Sequence, residues 1–368
     1  MKQKIYYIIQ SSIGDGKVKI IYGPKGTGKT TYLLNVIKEY TKHDERFIFI
    51  SLDHMPYKDI LPYIKSIDNN GKKTILLIEN ILSFEYVESL INLLFSCKNI
   101  DSFATSDVDI DYILKETATQ IRGRIKNIFY PNYLFEEYVE DCNDDSVINY
   151  YRKMVTEYKL YAANRNPLVC DNELFGRMCQ HINELCSYRM LYNECANKSL
   201  STIIKKVEEI VGYFYFYKLN RFSINTMQVL KDKFYLFPTD YSLIPNSNFG
   251  DDSTLRQFLS TSVVEKLKYD GWEVFIGTYN FQRMIDLKRK YLVDNDTIVA
   301  KKYDKVVFIR IENNQERNTN QVFNNINSSF PKIILTNGKS NYRYNSDGII
   351  YCGIEMFLQK GIEENGIQ

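Results

Sequence analysis

The sequence predicts an α/β protein: a parallel-sheet core carrying a phosphate-binding loop, then a helical and winged-helix middle, then a small α/β tail. Three observations carry this. Gly23-Pro24-Lys25-Gly26-Thr27-Gly28-Lys29-Thr30 fits the pattern G-x-x-x-x-G-K-[ST]. It stands between a β-branched run at 17–22 and a segment whose Leu33, Leu34, Ile37 and Tyr40 recur at helical spacing. Strand, glycine loop and helix in that order aim backbone N–H groups and a helix N-terminus at phosphate oxygens. Lastly, short apolar runs alternate with amphipathic ones through the first 140 residues, as in a parallel sheet covered on both faces.

In chain order, strands are expected at 17–22, 47–52, 74–78, 102–105 and 126–130. Helices are expected at 29–40, 57–67, 84–97 and 109–121. Working groups of such a sheet gather at the carboxyl ends of its strands. The length of 368 residues suits two or three domains, here 1–140, 141–245 and 246–368.

Composition narrows the class. Hydrophobic residues make up 44% and charged residues 25%, the balance of a globular protein. No apolar run reaches a membrane span, and the first one stops at Ile9, too short for a signal peptide. A cytoplasmic protein with no membrane partner is the expectation. The net charge of +2 is spread evenly, which excludes nucleic-acid binding by bulk electrostatics and leaves only a local patch. Seven cysteines, odd in number and never spaced C-x-x-C, exclude a disulfide framework. Cys170, Cys179, Cys186 and Cys195 with His181 fit no zinc spacing and are read as buried thiols on helices.

The loop assigns Gly23, Gly26, Thr27, Gly28, Lys29, Thr30 and Thr31 to a nucleotide, with Lys29 on the β- and γ-phosphates. The third strand ends in Glu79-Asn80. An acid there holds Mg²⁺ together with the hydroxyl of Thr30. Asn80 occupies the slot where many hydrolytic P-loop enzymes place a second acid. An amide orients water but accepts no proton, so slow hydrolysis, or recourse to Glu79 or Asp53, is expected. Thr105 and Ser106 end the fourth strand within reach of a γ-phosphate or its water. Arg124, with Arg122 second, is the choice for stabilising phosphoryl-transfer charge, against a bland role in a surface ion pair.

"KIIYGPKGTGKTT", "TILLIEN", "FATSD" and "TQIRGRIKNIFYPNYLFEEYVED" together resemble the prokaryotic AAA-family ATPases. The last stretch is the most telling, because Gly123-Arg124, Pro131 and Phe135-Glu136-Glu137-Tyr138 match that family's order. The resemblance implies ATP and Mg²⁺, with binding and hydrolysis working as a conformational switch, and adenine over guanine. The departure is Glu79-Asn80 where the family usually has Asp-Glu.

In the middle segment, Leu200, Ile203, Ile204, Val207, Ile210 and Val211 make one apolar helix face, and 188–196 reads as a helix before it. Aromatic runs at 213–217 and 232–237 read as two strands around a polar wing. Helix, turn, helix, hairpin is the winged-helix order, found at the same place in the resembled family. Such a module enters a DNA groove or makes an intramolecular or subunit contact, and both readings stand. Thr202, Lys205 and Lys206 suit phosphate; Glu208 and Glu209 repel it.

The tail reads as a helix at 255–267, strands at 271–276, 284–287, 305–311, 331–336 and 348–351, and helices at 319–327 and 354–358. It is similar to the restriction-endonuclease-like domain fused to those ATPases. That resemblance places the nuclease positions on Ser260, Asp286, Arg310 and Glu312, and only Asp286 keeps the required chemistry. It therefore implies a nuclease-like fold without nuclease activity. Two functions follow from the whole chain: an ATPase switch, or a nucleotide-gated DNA- or protein-binding module with little turnover and a degenerate nuclease domain.

Overall fold

The computed structural model describes residues 3–40, 46–52, 55, 57–81, 87–113, 121–157, 172–195, 198–243, 252–285, 288–312, 323, 326, 329–338 and 342–363. Contacts divide the chain into two units: Met1–Asn132 with Glu208–Tyr215, and Tyr133–Val207 with Phe216–Gln368.

The first unit runs α1 (Gln3–Gln10), β1 (Val18–Tyr22), α2 (Lys29–Tyr40), β2 (Arg46–Ser51), α3 (Tyr57–Asn69), β3 (Thr74–Glu79), α4 (Val87–Ser96), β4 (Ile100–Ser106), α5 (Ile110–Ile113) and β5 (Ile125–Phe129). Its five strands are all parallel, in the order β2-β3-β4-β1-β5. Strand β3 is buried on both faces, which is why 75–78 reads as an unbroken apolar run; β1 and β4 are largely buried too, but carry Lys19 and Asp101 within them. On one face Val18, Ile20, Leu76, Ile78 and Ala104 pack with Ile60 and Ile64 of α3 and Leu90, Ile91 and Leu94 of α4. Each such aliphatic side chain contributes about 2 kcal/mol when fully buried. All five expected strands are present, and the helices at 29–40 and 57–67 fall where expected. Those at 84–97 and 109–121 are helical over 87–96, and over 110–113 and at 121, with 84–86 and 114–120 outside the described residues.

Helix α1 was not expected. It forms because Ile5 and Ile9 fall on one buried face, while the Tyr6 hydroxyl meets Tyr40 and donates to Glu39 Oε2 at 3.1 Å on α2.

The second unit runs α6 (Phe135–Cys142), α7 (Val147–Glu157), α8 (Asn172–Gln180), β6 (Leu185–Cys186), α9 (Tyr188–Glu194) and α10 (Leu200–Gly212), whose last residues belong to the first unit. Then come β7 (Phe216–Ser223), β8 (Gln228–Pro238), α11 (Asp252–Tyr269), β9 (Glu273–Ile285), β10 (Lys288–Lys302), β11 (Lys305–Ile311), β12 (Lys332–Thr336), β13 (Arg343–Tyr344), β14 (Ile350–Gly353) and α12 (Ile354–Lys360). One sheet of nine strands takes the order β13-β14-β12-β11-β10-β9-β7-β8-β6. The antiparallel hairpin β7–β8 does not stand alone as a wing, because β7 pairs in parallel with β9 through Arg221, Phe222 and Ser223. Strands of the segments 141–245 and 246–368 thus share a sheet, around a core that includes Phe222, Val299, Phe308 and Ile334.

Two readings of this region differ from the structure. Strand β10 was not expected at all; its charged ends and Asp294-Asn295-Asp296 resemble a loop, but the ends pair along β9, and the run sits at an irregularity where Asp294 pairs with Tyr279 and Thr297 with Gly277. Residues 213–215 were read as strand and instead terminate α10. Phe214 adopts a left-handed conformation (φ 55°), its N–H donates to Val211 O, and Tyr215 N–H donates back to Ile210 O. This is a Schellman cap with phenylalanine where glycine is usual. The ring is held against Tyr22 and Phe129 in the first unit, centroids 5.9 and 6.1 Å away.

Candidate functional site

The phosphate-binding loop leaves β1 at Tyr22 and enters α2 at Lys29. Gly23 is required by close approach: a Cβ there would lie 2.0 Å from the carbonyl oxygen of Tyr130. Gly26 and Gly28 are required by backbone, with φ of 78° and 84°, and no heavy atom lies within 4 Å of where their Cβ atoms would stand. A loop free of side chains at these points fits a phosphate chain approaching its backbone. Thr27 Oγ1 donates to Pro24 O at 2.9 Å and closes the turn. Thr31 is exposed on the first turn of α2.

Lys29 is 4% exposed. Its ammonium donates to Gly23 O at 3.0 Å and Pro24 O at 2.7 Å, and it pairs with Asp107 Oδ1 at 2.7 Å. Thr30 Oγ1 donates to Glu79 Oε1 at 3.0 Å. The hydroxyl and carboxylate read as Mg²⁺ ligands are therefore neighbours, from α2 and from the end of β3. Both are hard oxygen donors of the kind Mg²⁺ takes. Thr105 Oγ1, at the end of β4, lies 3.5 Å from Thr30 Oγ1 and accepts the N–H of Asn80 at 3.2 Å. Asn80 itself is left-handed, φ 57°. The ends of β1, β3 and β4 thus bring Lys29, Thr30, Glu79, Asn80 and Thr105 together.

Arg124 is not brought there. It precedes β5, and its carbonyl accepts the N–H of Val18, the first residue of β1. It therefore stands at the amino end of the sheet, a strand length of about 13 Å from the loop. Its guanidinium bonds Asn92 Oδ1 and lies 5.2 Å from the Phe95 ring centroid, both on α4. Arg122 is exposed beside it.

Asp107 was missed by the sequence reading. Its position is built locally: the Ser106 hydroxyl donates to Val108 O at 2.8 Å and accepts the Val108 N–H at 2.9 Å, while Ser106 O accepts the Gly23 N–H at 3.2 Å. An acid immediately after the two hydroxyls of "ATSD" was the available signal, but only the strand register turns it toward the loop.

In the second unit Ser260 lies on α11, Arg310 is buried on β11 with Nη2 3.9 Å from Asp296 Oδ2, and Glu312 is exposed. Asp286 and Asp53 lie outside the described residues. The reading also missed Glu265 on α11, a buried carboxylate whose oxygens accept the hydroxyls of Tyr217 at 3.2 Å and Tyr241 at 3.0 Å. Burial first, and then that carboxylate, raise the Tyr241 pKa far above the usual phenol value. Cys97, Cys142, Cys179, Cys186, Cys195 and Cys352 are free thiols. Of the four read as buried helical thiols, Cys179 is half-buried on α8, Cys186 is buried but on β6, Cys195 is buried just past α9, and Cys170 lies outside the described residues. Among the described residues no cluster of three or more metal-ligating side chains and no membrane-spanning helix is found.

A parallel sheet with a glycine loop after its first strand, an acid at the end of its third and a strand between the two defines a P-loop nucleotide-triphosphatase core. Residues 15–139 match the family described as AAA domain. No curated protein matches the chain. Among solved structures, it is similar to Drosophila ORC bound to AT-rich DNA and Cdc6 at 14% identity, covering 70% of this chain and 93% of that one with a TM-score of 0.27. It is also similar to C. elegans PCH-2 at 14% identity, covering 44% and 46% with a TM-score of 0.28. At such scores neither likeness carries weight beyond the family match.

Proposed function

We propose that the chain binds ATP with Mg²⁺ at this loop and uses binding and slow hydrolysis as a conformational switch. The observation that carries the reading is the convergence of Lys29 and Thr30, from the start of α2, and Glu79, from the end of β3, beside one loop. Lys29 would meet the β- and γ-phosphates, and the amides of residues 26–30 would cradle them. Thr30 and Glu79 would hold Mg²⁺, which when bound screens charge on the phosphate oxygens. Hydrolysis breaks the bond between the γ-phosphorus and the bridging oxygen as water adds. In the slot beside Glu79 the chain offers an amide, so water is oriented there without a strong base to take its proton. This favours low turnover and keeps the nucleotide-gated binding module as the second reading.

A switch needs a part that registers occupancy. The Asp109 N–H donates to Gly212 O at 2.7 Å, and Phe214 lies on Tyr22, the residue before Gly23. The end of α10 therefore bears on both β1 and the β4 turn within the first unit. Because Arg124 stands at the far end of the sheet, it would serve phosphoryl transfer only at the loop of a second copy, which makes self-association part of the proposal. The order α9, α10, β7, β8 is that of a winged helix. Pairing of β7 with β9 supports an intramolecular contact role for it over insertion into DNA. The nuclease-like reading of the tail carries no cleavage chemistry, since Arg310 is buried where a metal-binding acid would be needed.

Calorimetry with MgATP tests the reading. The wild type should bind, and Lys29→Ala should weaken binding at least about a hundredfold, as charge-assisted phosphate contacts are among the strongest hydrogen bonds. A wild type that gives no heat at saturating MgATP and MgGTP ends it.

A further inference from the structure

The ammonium of Lys29 already has an anion in this structure. Asp107 Oδ1 lies 2.7 Å from it, and the lysine is almost fully buried while the aspartate is 26% exposed. Two loop carbonyls, Gly23 O and Pro24 O, take further ammonium protons. This geometry is not accidental packing of a long side chain. The turn that presents Asp107 is closed by the Ser106 hydroxyl on Val108 and tied to the loop through Gly23 N–H and Ser106 O. Loop and aspartate are thus fixed to one another by backbone.

The geometry points to Asp107 as a positioning residue that competes with the terminal phosphate for Lys29. Without nucleotide its carboxylate neutralises a buried ammonium that would otherwise be costly to bury alone. A triphosphate reaching the loop carries the stronger anion and displaces it. Lys29 then exchanges one oxygen anion for another, and Asp107, with a quarter of its surface already open, turns to water. No covalent step is involved. This inference rests on the proposed phosphate site and adds a regulation to it: the fraction of molecules in which Lys29 is released sets the apparent affinity.

Removing the competitor should therefore tighten binding rather than weaken it. Asp107→Asn keeps the size of the side chain and deletes its charge. Calorimetry is expected to give a MgATP Kd about tenfold lower than wild type. At the same time the melting temperature of the empty protein should fall, because Lys29 loses its counter-ion. The rise in melting temperature on adding saturating MgATP should then be larger than in the wild type. Asp107→Glu, which restores the charge, should return both readouts most of the way to wild type. To show that the effect passes through Lys29, Asp107→Asn is repeated on Lys29→Met, where it should no longer lower the melting temperature of the empty protein.

An unchanged or weaker MgATP affinity in Asp107→Asn overturns the proposal, as does an equal loss of melting temperature with and without Lys29. If the wild type itself binds no MgATP, the phosphate site is refuted first and the exchange falls with it. Wild-type binding with an unresponsive Asp107→Asn refutes the exchange alone.

Discussion

Two buried lysines sit at opposite ends of one strand and its continuation, and each pairs with an aspartate of β4 or the residue just beyond it. Lys19, within β1, is fully buried and pairs with Asp101, with Asp15 at 3.3 Å and the Phe103 ring centroid at 4.8 Å. Lys29, beyond the loop, pairs with Asp107. The chemistry is the same, but the settings differ. Asp101 also accepts the Gly14 N–H at 2.9 Å, and Lys126 donates to Ser12 at 2.6 Å, so the amino end of the sheet is a closed set of ties holding the 11–17 turn. At the carboxyl end the lysine leans on loop carbonyls and one partly open carboxylate. A pair locked by its strands serves the fold; on the exchange proposed above, the pair beside the glycine loop would give way to a ligand.

The largest effect expected from this contrast concerns stability. Lys19→Met leaves Asp101 and Asp15 facing a buried apolar side chain and should cost about 3 kcal/mol, the lower end for breaking a buried pair, since Asp101 is partly exposed. The same change at Lys29 should cost about 1 kcal/mol, because Asp107 can turn to water. Urea midpoints of the two variants check the order. Equal losses would erase the distinction between the two ends.

A smaller effect tests whether the amino end is purely structural within one copy. Arg124→Ala should leave MgATP affinity within about twofold of wild type, while turnover falls by about tenfold or more if the guanidinium works on a neighbour's phosphates. Mixing it with Lys29→Ala should recover part of the activity, since one mixed contact then joins an intact Lys29 to an intact Arg124. Loss of ATP binding in Arg124→Ala alone would break the division between ends, and unaltered turnover would remove the arginine from the reaction.

Much of the first unit was legible because local and long-range signals agree there. Strand β3, buried on both faces, is apolar over 75–78, and the glycines mark where backbone conformation or a close approach forbids a side chain. Register was not legible. Whether Asp107 faces the loop, and whether Arg124 stands at the loop's end or the opposite one, follows from strand pairing that no local pattern encodes. In the second unit aromatic runs misled. Residues 213–215 have strand propensity, yet Phe214 caps a helix in a conformation glycine would take more cheaply, because its ring finds Tyr22 and Phe129. Strand β10 was hidden by charges that a long antiparallel pairing tolerates.

A small effect on stability, and the most direct on chemistry, concerns Asn80. Two pressures meet at this residue. Its φ of 57° favours asparagine, whose short polar side chain tolerates the left-handed region, while water activation would favour a carboxylate. Asn80→Glu should lower stability by about 1 kcal/mol for the backbone conformation and raise ATP turnover by about tenfold or more. Asn80→Gly separates the two: it relieves the backbone without supplying a base, so stability should hold and turnover should not rise. If Asn80→Glu loses stability and gains no rate, the slot beside Glu79 does not face the attacking water. The carboxyl end of the sheet would then be a place for holding a nucleotide rather than cleaving it.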